Sequence, residues 1–105
     1  MVMIGILSYP TESVKEFVKR YLEQPPLPAY ITMRGPYGSA EVGKGIEAIT
    51  IYEFDQSKFQ EASQAIGARY TRYYGVPGFT YSVKPWIEAS EAIKTMAMGQ
   101  KSKAK

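Results

Sequence analysis

A chain of 105 residues with 45% hydrophobic and 22% charged side chains has the size and composition of one globular domain, able to bury about 65% of its unfolded surface without disulfides or a structural metal. It contains no cysteine, histidine or asparagine, which excludes a disulfide framework, a thiolate nucleophile, the commonest metal ligand and a serine–histidine pair. The net charge of +3 traces to Lys101, Lys103 and Lys105 in the last five residues, since residues 1–100 hold ten basic and ten acidic groups; the basic excess belongs to a tail, not to a nucleic-acid-binding face.

Met1 to Leu7 lacks a leading basic region and is too short for a signal peptide or a membrane span. Val2 to Tyr9 is therefore expected to be a strand of the mature protein, apolar on both faces apart from Gly5 and Ser8. The lack of cysteine fits a reducing compartment, so the expected location is cytoplasmic. Pro10 closes the strand, and Thr11 or Ser13 is placed to cap a helix, with Ser13-Val14-Lys15-Glu16 at capping-box spacing. Val14, Phe17, Val18, Tyr21 and Leu22 recur at helical intervals opposite Lys15, Glu16, Lys19 and Arg20, which predicts a one-faced helix of about three turns. Pro25, Pro26 and Pro28 end it. Ala29 to Arg34 alternates as a second strand, with Tyr30, Thr32 and Arg34 on one face. Gly35-Pro36-Tyr37-Gly38 is expected to bend the chain, Ser39 to Val42 to resume the strand briefly, and Gly43-Lys44-Gly45 to turn it.

Ile46 to Phe54 is the best-specified strand, rich in β-branched and aromatic residues with no internal glycine or proline. Ala48, Thr50, Tyr52 and Phe54 share one face, and Ile49 and Ile51 share the other between Glu47 and Glu53. Both faces are apolar, yet a chain of this length has helix enough to cover only one of them; a second copy of the protein is the expected cover for the other. Asp55 is placed to cap a second helix from about Ser57 to Tyr74, with Phe59, Ala62, Ile66, Tyr70 and Tyr73 or Tyr74 on its buried stripe, and Gly75 stops it. Phe79 to Lys84 alternates as an edge strand that Pro85 breaks. A last helix over about 86–98 places Trp86, Ala89, Ile93, Met96 and Ala97 on one side and ends at Gly99, leaving 100–105 as a basic flexible tail. Residues 1–99 thus form one α+β domain of order βαββαβ with an antiparallel sheet, the ferredoxin-like plan, plus a C-terminal helix.

This plan, the two-faced strands Val2 to Tyr9 and Ile46 to Phe54, and the aromatic-rich helix ending Arg69-Tyr70-Thr71-Arg72-Tyr73-Tyr74-Gly75 resemble the dimeric α/β-barrel superfamily over about residues 1–87. The resemblance implies two ferredoxin-like protomers with their sheets face to face. The group includes cofactor-independent quinol monooxygenases, muconolactone isomerases, haem-degrading enzymes and chlorite dismutases, so it implies no single activity. On this plan Tyr52 is taken to lie on the sheet-to-sheet face, where a Tyr52→Glu charge would break the dimer.

Two motifs fall away on context. Gly38 to Gly45 approaches the phosphate-binding pattern, but Gly45 stands where a hydroxyl must hold magnesium and a strand follows instead of a helix. Lys44-Gly45 precedes a strand as in RNA-recognition sheets, but the base-stacking positions hold Ile46, Ala48 and Ile51. No nucleic-acid, membrane, metal or cofactor partner is expected. Glu47 and Glu53 lie roughly 20 Å apart along one strand, too far to act as an acid pair. An aromatic and cationic set remains, drawn from nine tyrosines and one tryptophan. A cleft between sheet and helices lined by Tyr52, Tyr81 and Trp86, with Arg34 or Tyr37 orienting an anionic or oxygen-rich aromatic ligand, is the expected site. The expected protein is a homodimer joined through the sheet face that binds a small apolar or aromatic ligand. The alternatives are a cofactor-independent monooxygenase- or isomerase-like enzyme in which a tyrosine or glutamate moves a proton, and a module that serves assembly or regulation alone.

Overall fold

A computed structural model describes residues 1–94 and 96. Four strands, β1 (Val2–Tyr9), β2 (Thr32–Glu41), β3 (Gly45–Glu53) and β4 (Thr80–Trp86), form one sheet in the order β2-β3-β1-β4, and every neighbouring pair is antiparallel. Helix α1 (Val14–Leu22) joins β1 to β2, and α2 (Phe59–Thr71) joins β3 to β4. The result is a mixed α+β fold compatible with the ferredoxin-like plan. Residues 89–94 are helical; the expected helix end at Gly99 and the basic tail 100–105 lie outside the described residues. Among the described residues no helix is long and apolar enough to cross a membrane.

Strand parity divides the sheet into two unlike faces. Met3, Gly5, Leu7 and Tyr9 of β1 share a face with Thr50 and Tyr52 of β3, and all of these are buried. The helices cover this side, contributing Phe17 from α1 and Ala62, Ile66 and Tyr70 from α2 to the same core. On the other face Ile4 is paired with Ile51 and Ile6 with Ile49, and Ile6 and Ile49 remain 40% and 38% exposed. The expectation that one apolar face lacks a helical cover thus holds for the protomer, but Tyr52 is not on that face. It is 2% exposed beneath the helices, so a Tyr52→Glu change would strike the core and would not report on sheet-to-sheet assembly.

Four boundaries differ from the sequence expectation. β2 begins at Thr32 and continues through Gly35-Pro36-Tyr37-Gly38, where a register shift between Arg34 and Tyr37 absorbs what reads locally as a bend. The peptide bond between Gly35 and Pro36 is cis. β4 continues through Pro85, which lies opposite Met3, to Trp86; an edge strand tolerates proline because one side of it has no ladder to complete. α2 starts at Phe59 after a short 3-10 turn and stops at Thr71, three residues early, with Gly75 at a φ of 95° in the turn that follows. The capping box does not form: the Ser13 hydroxyl donates 2.6 Å to the Pro77 carbonyl, tying the start of α1 to the loop before β4. Asp55 behaves as expected, accepting a 2.9 Å hydrogen bond from the Ser57 backbone N–H; that bond holds its carboxyl below the usual range.

Candidate functional site

The helix-covered face of the sheet contains a cleft of about 220 Å³. Its floor is β1 and β3, through Leu7, Tyr9, Ala48, Thr50 and Tyr52; α1 supplies Phe17 and Tyr21, α2 and its following turn supply Arg69, Tyr70 and Tyr73, and β2 closes one side with Met33, Pro36 and Gly38. The cavity exists because two small residues face each other in register, Gly38 on β2 and Ala48 on β3. A Cβ placed on Gly38 would meet no atom within 4 Å. The space a larger side chain would fill is left to the cleft.

Aromatic stacking gives the walls their shape. Phe17 is sandwiched between Tyr9, at a centroid distance of 4.1 Å, and Tyr73, at 4.4 Å, with interplanar angles of 19° and 20°. Tyr70 stacks on Tyr81 at 5.3 Å and lies edge-on to Tyr52 at 6.5 Å. These offset and edge contacts are favourable in themselves and hold each ring in one orientation. Tyr70 reaches this position because β1 has no side chain at Gly5: a Cβ there would stand 1.8 Å from the Tyr70 hydroxyl oxygen. Gly5 reads in the sequence only as a gap in an apolar strand. In the structure it is the seat of a tyrosine.

The polar groups of the cleft are phenols, one threonine hydroxyl and one guanidinium. The Tyr52 and Tyr70 hydroxyls are hydrogen-bonded to each other at 3.0 Å in a buried setting. Burial pushes the Tyr70 phenol far up, aided by the neighbouring Tyr52, and burial also raises Tyr73 and Tyr9. These groups keep their protons at neutral pH and act as hydrogen-bond donors and acceptors, not as bases. None of the residues lining the cleft is acidic. Among the described residues no group of three or more acidic side chains is placed to hold a metal ion.

Of the residues expected to form the site, Tyr52 lines the cleft and Tyr81 supports it from behind through its stack on Tyr70. The others lie elsewhere. Arg34 is opposite Ile51 on the uncovered face, ion-paired with Glu53 at 3.0 Å. Tyr37 is opposite Ile49 on that same face and 58% exposed. Trp86 is at the end of β4, 46% exposed, with the Lys84 ammonium 4.9 Å from its ring centroid. Among the residues that sequence reasoning passed over are Tyr9, Phe17, Tyr21, Tyr70 and Tyr73, read only as strand and helix residues, and Arg69 with the small pair Gly38 and Ala48. Arg69 is near the end of α2 and Tyr73 in the turn that follows it, so the short run Arg69 to Tyr73 delivers one guanidinium and two phenols to the same cleft.

Comparison with models of protein families, with curated proteins and with solved structures finds no match to this chain. The resemblance to the dimeric α/β-barrel superfamily therefore rests on layout alone.

Proposed function

We propose that the protein is a homodimeric binder of a small, largely apolar aromatic ligand, held in the cleft between sheet and helices of each protomer. The observation that carries this reading is the cleft itself: about 220 Å³ of space lined by stacked tyrosine and phenylalanine rings, with few polar groups. A dry apolar cavity of about 150 Å³ is enough to take up benzene, so this volume suits a molecule of one or two rings. Proton-transfer chemistry has less support, because the cleft has no carboxylate and its buried phenols are pushed away from neutral pH. The homodimer is supported by the uncovered patch of Ile4, Ile6, Ile49 and Ile51 at the centre of the other face, bordered by the Arg34–Glu53 ion pair.

The test is a Gly38→Leu variant, which adds bulk to the cleft wall from a position where a Cβ meets no atom within 4 Å. Ligand-observed NMR with 2-naphthol is expected to show saturable binding to the wild type and none to the variant, with the variant at least as stable. Equal binding to both would place the probe elsewhere and overturn the assignment.

A further inference from the structure

We infer that the ligand of this cleft is an aromatic carboxylic acid of one or two rings, whose ring enters among the tyrosines and whose carboxylate is received by Arg69. The inference rests on the binding role proposed for the cleft and adds the ligand's charge. Arg69 is the one cationic side chain among the residues that line it, and no acidic side chain lines it beside Arg69. Arg20, Arg34, Lys44 and Lys58 each have a carboxylate partner. Among the described residues Arg69 has none. Its charge stands uncompensated at the edge of an apolar space, which selects for an anion and against a cation.

The guanidinium is also held in place. One Nη1 hydrogen is donated to the Pro25 carbonyl at 3.0 Å, and the Arg69 backbone carbonyl accepts from the Gln24 side-chain amide at 2.7 Å. A guanidinium carries five N–H donors in a rigid fork, so one anchoring bond leaves donors for the two oxygens of a carboxylate. Anchoring by the proline-rich link reduces the ordering cost of binding. Position favours an acid over a fully buried ligand. A second, shallower groove along Gln24, Pro25, Pro26 and Leu27 shares Tyr21, Met33 and Arg69 with the cleft, so Arg69 stands where the apolar cavity gives way to the surface. A carboxylate there remains partly hydrated while its ring is buried, which avoids the desolvation penalty of a deeply buried ion pair.

The test compares 2-naphthoate with its neutral methyl ester by calorimetric titration of the wild type, Arg69→Gln and Arg69→Lys. The wild type is expected to bind the acid at least about tenfold more tightly than the ester, the scale of one charge-assisted hydrogen bond. Arg69→Gln is expected to remove that preference, so that acid and ester bind alike, and Arg69→Lys to retain part of it. Should Arg69→Gln fold poorly, the wild type still decides: acid affinity falls with added salt and ester affinity does not. Equal affinity of the wild type for acid and ester would overturn the acid class and leave the cleft as a binding site. Binding of neither compound would overturn both.

Discussion

Replacing Gly5 by alanine is the sharpest test of how the cleft is built. The new methyl carbon would stand 1.8 Å from the Tyr70 hydroxyl oxygen and 2.6 Å from the ring carbon that bears it, both inside the 3.0 Å that real Cβ contacts respect. The ring has to retreat by about 1 Å or more, and interiors packed to crystal density offer little room for that. Retreat works against the 3.0 Å bond to the Tyr52 hydroxyl and the 5.3 Å stack on Tyr81. Overpacking of this kind costs about 1–3 kcal/mol, and losing a buried hydrogen bond between two phenols costs about 1–3 kcal/mol more, so the expected destabilisation is about 2–6 kcal/mol. Urea unfolding of wild type and variant at one fixed protein concentration measures it, because dimerisation would otherwise enter the midpoint. Removing the offending oxygen gives an internal control: in a Tyr70→Phe background the 1.8 Å clash is gone and only the 2.6 Å one remains. The cost of Gly5→Ala is therefore expected to be smaller there, a coupling that a double-mutant cycle reads directly. A cost below about 0.5 kcal/mol in the wild-type background, the scale of an inconsequential surface change, would refute the placement of Tyr70 across β1.

Two further expectations concern the other face and the alkaline range. Ile6→Lys puts a charge at the centre of the uncovered patch, opposite Ile49, where the native side chain is 40% exposed; the protomer's own stability should change by no more than about 0.5 kcal/mol while sedimentation velocity shows a shift from dimer to monomer. A wild type that already sediments as a monomer, or a variant that remains a dimer, would remove the sheet-face assembly. The phenols of Tyr9, Tyr70 and Tyr73 are raised above 10.0 by burial in the folded state. Below about pH 10 both states keep these protons and stability is unaffected by them; above it the unfolded chain releases protons that the folded chain retains, so stability falls as pH rises. Urea midpoints taken between about pH 8 and about pH 11 should show that decline, and Tyr70→Phe should flatten it; an identical slope in the variant would count against Tyr70 as its main source.

The elements that were legible in the sequence are those whose local and tertiary signals agree. β1 and β3 alternate cleanly, pair with each other over their whole length and appear within a residue of their expected ends. β2 and β4 were misjudged at proline and glycine, where local chemistry argues for a turn but an edge position or a register shift keeps the strand going. The expected site residues are dispersed for a related reason. Arg34 and Tyr37 both lie on β2, three residues apart, so simple alternation would put them on opposite faces; the register shift between them sends both to the uncovered face, and that shift cannot be seen without the partner strand. Tyr52 lines the cleft because the face it shares with Thr50 and Phe54 is the one the helices cover, which is also why it is absent from the sheet-to-sheet face where it was expected as well. What makes the cavity, the smallness of Gly38 and Ala48 at one register position, is a relation between two strands and has no signature in either alone.

The two faces of one sheet thus carry separable properties. Alternation along β3 sends Ile49 and Ile51 outward and Ala48 and Thr50 inward, so a substitution on either set leaves the other in place. The cleft lies on the helix-covered face, and the isoleucine patch lies across the full thickness of the sheet from it. Assembly through that patch would supply no ligand contact. It would remove from water what is still exposed of four isoleucine side chains per protomer, a fraction of the ~1.5–3 kcal/mol that fully burying one is worth, and so stabilise the very strands, β1 and β3, that form the floor of the cleft. Gly38→Leu should therefore abolish binding in a protein that still dimerises, and Ile6→Lys should yield a monomer that still binds, with whatever affinity it loses measuring how far the floor depends on its partner.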